Sequence, residues 1–150
     1  MKGRYFKWIA ILAAACVLGM VLLGATADRE VYQVRQLLEK RSTIMEKTLF
    51  GEITYDEGKR QLKEVEADKL YRDDVEALTQ FEDTDLERTR AMDVIELEKK
   101  SHVYDRMSFY GKIKWTISGM EGVYDEIYEY DIGVSSEDGE YRLISFEARD

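Results

Sequence analysis

Proline does not occur in this chain, and cysteine and histidine occur once each. Average usage of about 5% would supply several prolines, so Pro-rich wall-spanning linkers are excluded. Cys16 lies in an uncharged apolar stretch, which leaves the residues after it without an internal disulfide or a cysteine-based zinc site. Stability there must come from packing. His102 has Ser101 and Asp105 beside it, but neighbours in a strand point to opposite faces and spacing alone establishes no triad. Gly-x-Gly-x-x-Gly, Walker A, Gly-x-Ser-x-Gly and His-Glu-x-x-His patterns are all missing. The expectation is a chain without catalytic residues or cofactor.

Positive charge is scarce in the long C-terminal part. All 31 acidic residues follow position 27, and three of the 22 cations precede it. Such an excess of carboxylates repels nucleic acid and anionic lipid headgroups, so nucleic acid is not an expected partner. Carboxylates cluster at Asp73-Asp74-Glu76, Glu82-Asp83-Asp85-Glu87 and Glu137-Asp138-Glu140. None follows the order of an EF-hand calcium loop. We read them as solvated faces and turns and expect no metal.

The longest uncharged stretch, Trp8 to Ala27, follows a basic start with Lys2, Arg4 and Lys7. A helix of about twenty residues reaches about 30 Å, the thickness of a bilayer's hydrocarbon core. Gly24 and Ala25-Thr26-Ala27 before Asp28 also fit a signal peptidase site. Residues 1–27 are therefore either an uncleaved signal anchor or a signal peptide cut after Ala27. A lipoprotein signal at Cys16 fits less well, because apolar residues continue past it. Both readings export residues 28–150 as a single extracytoplasmic domain. It contacts the lipid bilayer through residues 8–27 if anchored, and is secreted if cleaved.

Residues 28–85 read as helical. Val31, Val34, Leu38, Ser42, Met45 and Leu49 recur at helical steps as an inward stripe, with Arg35, Glu39, Lys40, Glu46 and Lys47 turned elsewhere. Arg41 and Thr48 fall on core positions of the strict heptad from Val31, which favours intramolecular packing over a coiled coil. Gly51 suits a helix stop, and Thr54 with Glu57 forms a capping box for a second helix with Leu62 and Val65 inward. LFGEITYDEGKRQL, with Gly51, Ile53, Thr54 and Leu62, resembles a short SHOCT-type helical hairpin, and nothing functional follows from that resemblance. Asp68 caps a third helix carrying Leu70, Tyr71, Val75, Leu78 and Phe81.

Residues 86–150 read mainly as strands. For 86–100 strand is favoured over helix, with Ile95 and Leu97 on one side. From Met107 to Ser118 and from Tyr124 to Val134 apolar and polar residues alternate. A Gly119-Met120-Glu121-Gly122 loop pairs Ser118 with Val123. That register sets Ile117 opposite Tyr124, Ile113 opposite Tyr128, Gly111 opposite Tyr130 and Phe109 opposite Ile132. Lys112 then meets Glu129, and Tyr130 covers Gly111. Asp138-Gly139 turns the chain into a last strand, Tyr141 to Ala148. The expected class is α+β: an N-terminal transmembrane or signal helix, then two or three helices packed on a C-terminal antiparallel meander of three or four strands.

Ten tyrosines are a clear enrichment. The register turns Tyr124, Tyr128 and Tyr130 towards the helices, which leaves Tyr110 and Tyr141 as the candidate interaction surface on the open face. The expected function is a membrane-anchored or secreted, non-catalytic interaction module, an assembly or adaptor component of a bacterial-type cell envelope with a protein partner. The alternative is a small-ligand or glycan-binding domain, or a hydrolase with an unrecognised site.

Overall fold

The computed structural model describes residues 28–80 and 88–150. The apolar stretch 8–27, Phe81 and the acidic run 82–85 lie outside the described residues. Among the described residues no helix is long and apolar enough to cross a membrane. The chain divides into two units, Met1–Tyr32 and Gln33–Asp150. The described helices and strands belong to the second, apart from the first residues of the first helix.

Among the described residues three helices precede four strands, as expected for α+β. Helix α1 covers residues 28–49, α2 Tyr55–Val65 and α3 Asp68–Gln80. Strands β1 (Arg88–Val103), β2 (Arg106–Gly119), β3 (Gly122–Glu137) and β4 (Glu140–Ala148) form one antiparallel sheet in the order β1-β2-β3-β4. Of the 86–100 stretch, the described residues from Arg88 onward are strand, as expected.

The helical turn follows its local chemistry with one difference. Gly51 takes the left-handed conformation at φ 69°, where a Cβ is disfavoured. Thr54 Oγ1 accepts from the Glu57 backbone N–H at 3.3 Å. The Glu57 carboxylate does not return the bond, because Arg60 and Gln61 occupy it. The capping box is half made. Gly58 marks a close approach of α2 to α1: a Cβ there would overlap the Thr48 side chain.

The β2–β3 register is the expected one throughout, including Ile113 opposite Tyr128, Gly111 opposite Tyr130 and Phe109 opposite Ile132. It places Met107, Phe109, Ile113, Ile132 and Val134 in the core with Leu143 of β4. Against them pack Val34, Leu37, Leu38 and Ile44 of α1, Leu62 and Val65 of α2, and Leu70 and Leu78 of α3. The link between α2 and α3 is tied to the sheet, since the Ala67 N–H donates to the Leu143 carbonyl at 2.9 Å.

Three expectations fail on packing detail. Ile132 rather than Tyr130 covers Gly111, and Tyr130 stacks on Phe146 with centroids 4.2 Å apart. Ile95 is exposed beside a bulge between Val94 and Glu96, so Val94 takes the buried place. A bulge adds a residue and inverts the facing of the residues beyond it. Tyr124 and Tyr128 lie on the inner face by parity, yet they are 40% and 43% exposed.

Candidate functional site

The inner stripe of α1 is wider than apolar periodicity implied, and it includes a cation. Arg41 sits between α2 and α3, donating through Nε to Glu66 Oε1 at 2.7 Å and through Nη2 to Asp74 Oδ1 at 2.8 Å. Its guanidinium also lies 4.8 Å from the centroid of the Phe146 ring, a cation–π arrangement. Glu66 is fully buried and Asp74 nearly so. Reading the Asp73-Asp74-Glu76 run as a solvated face is therefore wrong at Asp74. Asp73 and Glu76, off the Leu70-Asp74-Leu78 stripe, do face water.

Two carboxylates and one guanidinium leave an excess negative charge in a dry site, which is costly. Burial, then the hydrogen bond and charge of Asp74, push the Glu66 carboxyl up to about 8 against the pull of Arg41. Glu66 Oε2 is buried without another hydrogen-bond partner, and buried Asp74 Oδ2 has only the ion-pair contact with Arg41 Nη2 at 2.6 Å. A proton held on Glu66 and donated to Asp74 serves both oxygens and neutralises the cluster. The arrangement locks the helices together, and it leaves neither acid available for outside chemistry.

Two concavities flank this cluster. A pocket of about 200 Å³ is lined by the apolar Met45, Leu49, Phe50 and Trp115 and the polar Arg41, Ser42, Glu46 and Thr89. It is smaller than the 300–1,000 Å³ usual for ligand sites, and its one cation, the part-buried Arg41, is already committed to Glu66 and Asp74. A wider open groove of about 820 Å³ runs between α1, α2 and the β3–β4 turn. Leu37, Ile44 and Val65 lie along it among charged and amide side chains.

Tyr110 and Tyr141 do not come together. Tyr110 pairs with Asp131 on the outer face, between Lys100 and Arg149 at 5.4 and 5.2 Å from its ring centroid. Partial desolvation and a hydrogen bond to Glu129 push its hydroxyl up. Tyr141 pairs with Ser136 and borders the groove against α1 and α2. The two rings therefore occupy opposite faces of the sheet. His102 is exposed, with Lys99 Nζ 3.2 Å from its Nδ1.

The feature that sequence reading missed is an open strand edge. β3 runs for 16 residues and β4 for nine. Their pairing ends at Tyr130 with Ala148. Among the described residues no strand pairs with the other side of Gly122–Glu129, beyond one bond from the Arg149 N–H to the Glu129 carbonyl at 2.9 Å. This half-strand is regular, because its pairing with β2 contains no bulge. It exposes apolar side chains among its carboxylates: Val123 is 58% exposed and Ile127 53%. Met120 at the hairpin tip is wholly exposed.

The fold is similar to that of the intermembrane space region of the chloroplast protein ARC6. The TM-score is 0.50 at 10% identity, over 79% of this chain and 95% of that one. At that identity the likeness is one of architecture. No protein-family model and no curated protein matches the chain.

The opposite edge of the sheet differs in kind. β1 has three register irregularities along its pairing with β2 and carries charges from Arg88 to Lys100. Bulges and charges are the usual protection of an edge against unwanted pairing. The free half of β3 has carboxylates but no bulge. Its backbone is presented in a form that another extended chain can join.

Proposed function

We propose that this protein is a non-catalytic interaction module, held at a membrane through residues 8–27 with residues 28–150 on the outer side. The observation that carries the reading is the open edge Gly122–Glu129 with Val123 and Ile127 exposed along it. A regular strand edge left unpaired, with exposed apolar side chains along it, invites association. The pocket beside Trp115 supports the ligand-binding alternative less well, since it is small and its one cation, Arg41, is already used within the fold. A region of similar fold in an intermembrane space accords with an extracytoplasmic adaptor.

Photo-crosslinking in living cells tests the reading. A photoreactive amino acid at Ile127 should give a discrete adduct with another protein, and the same group at Arg72, on the exposed face of α3, should not. Equal labelling from both positions would remove the edge as the interaction site. Protease added to intact wall-stripped cells should digest residues 28–150. Full protection would put the domain on the inner side.

A further inference from the structure

The open edge of β3 has a charge pattern that selects its occupant. Between Lys114 and Arg142 the sequence has eight carboxylates and no cation. Four of the eight, Glu121, Asp125, Glu126 and Glu129, lie on or next to the free half-strand. The β2 register fixes their facing: Val123, Asp125, Ile127 and Glu129 are on the outer face, and Tyr124, Glu126 and Tyr128 on the inner.

A second copy of this chain is a poor occupant. Antiparallel self-pairing that keeps faces aligned and uses most of the segment centres on Asp125 or on Glu126. Either choice sets two carboxylates directly opposite each other, which destabilises a strand pair. Local cations offset the charge only in part: Lys112 stands opposite Glu129 in the β2 register. Lys114 reaches Asp125 only at 3.9 Å and is closer to Asp93, at 3.1 Å. Glu126 is engaged by the Tyr128 hydroxyl at 2.7 Å, a neutral donor.

We propose that Gly122–Glu129 binds an extended basic segment of another protein as an added antiparallel strand, extending the sheet beyond β3. The facing of the side chains dictates the pattern of that segment. Read from the residue opposite Glu129 to the one opposite Val123, it is cation, apolar, apolar, cation, cation, apolar, apolar. Each cation meets a carboxylate and each apolar residue meets Tyr128, Ile127, Tyr124 or Val123. Backbone bonds supply the affinity and the charge pattern supplies the choice. This deepens the interaction-module reading and rests on it.

The test uses the full-length chain in detergent and the peptide Lys-Val-Ile-Lys-Arg-Val-Ile, blocked at both ends. Binding should slow amide exchange across residues 122–129 and leave β1 unchanged. N-methylation of every second peptide residue, in the phase that faces β3, should weaken binding at least about tenfold. A peptide with glutamate in place of each cation should bind at least about tenfold more weakly, and that preference should reverse in the Asp125→Lys, Glu126→Lys double variant. Ile127→Asp, at an exposed position, should lose binding while keeping its circular dichroism. The proposal is overturned if no amide in 122–129 is protected at millimolar peptide, or if N-methylated or acidic peptides bind equally. It is also overturned if those amides become protected by raising protein concentration alone, which would mean self-association. A crosslink from Ile127 in cells, combined with any of these failures, would keep the module and remove strand addition.

Discussion

Glu66→Gln separates the buried proton from the rest of the fold. Glu66 is buried at the junction of α2 and α3, with its carboxyl raised from 4.5 to about 8. An acid raised on folding binds a proton in the folded state that the unfolded chain has already released. Its stabilising contribution is therefore complete below pH 4.5, declines as pH rises from there, and is gone above about pH 8. One whole proton corresponds to about 1.4 kcal/mol per pH unit, so the loss across the window amounts to about a few kcal/mol. Glutamine keeps the geometry: its carbonyl can accept from Arg41 Nε, and its amide can donate to Asp74. Urea unfolding followed by circular dichroism should find wild type and variant similar near pH 5. Near pH 8 the variant should be the more stable by a clear margin. Parallel pH profiles for the two proteins would refute a proton held on Glu66.

Two further substitutions probe the packing. Ile113→Asp places a carboxylate at a fully buried position on the inner face and should prevent stable folding, whereas Lys112→Asp on the outer face should be mild; thermal melts that change equally would refute the assigned facing. Gly58→Ala should destabilise by about 1–2 kcal/mol despite alanine's better helix propensity, because the new methyl meets Thr48. A raised melting temperature would mean that α1 and α2 separate without cost.

The β2–β3 pairing was legible because two facts suffice to define it, the two-residue alternation and the number of residues in the Gly119–Gly122 loop. One slipped residue would have turned Ile113 and Phe109 outwards. Arg41 was not legible as an interior group. Its partners lie 25 and 33 residues away, and a periodicity of apolar residues cannot reveal a long cation whose stem packs and whose head is neutralised inside. A signal was nevertheless present, since Arg41 occupied a core position of the α1 heptad. The bulge at Ile95 has no sequence mark, so the facing of β1 was misjudged there.

Tyr110 and Tyr141 stand out in the sequence by residue type, as aromatics on the open face. The structure separates them onto opposite faces, and the open edge is a property of backbone. It was readable in principle. A strand returning from Asp138-Gly139 and ending at Ala148 pairs back only to Tyr130, which leaves the preceding half of β3 uncovered. Side-chain patterns alone draw attention away from that kind of vacancy.

Amide hydrogen exchange across Gly122–Glu129 offers the most direct measurement, made once on the chain in its native membranes and once after purification in detergent. Strand addition predicts slow exchange in the membranes and fast exchange once the partner is removed, with β1 and the core of β2 unchanged between the two. Equally fast exchange in both preparations would contradict a strand partner at this edge.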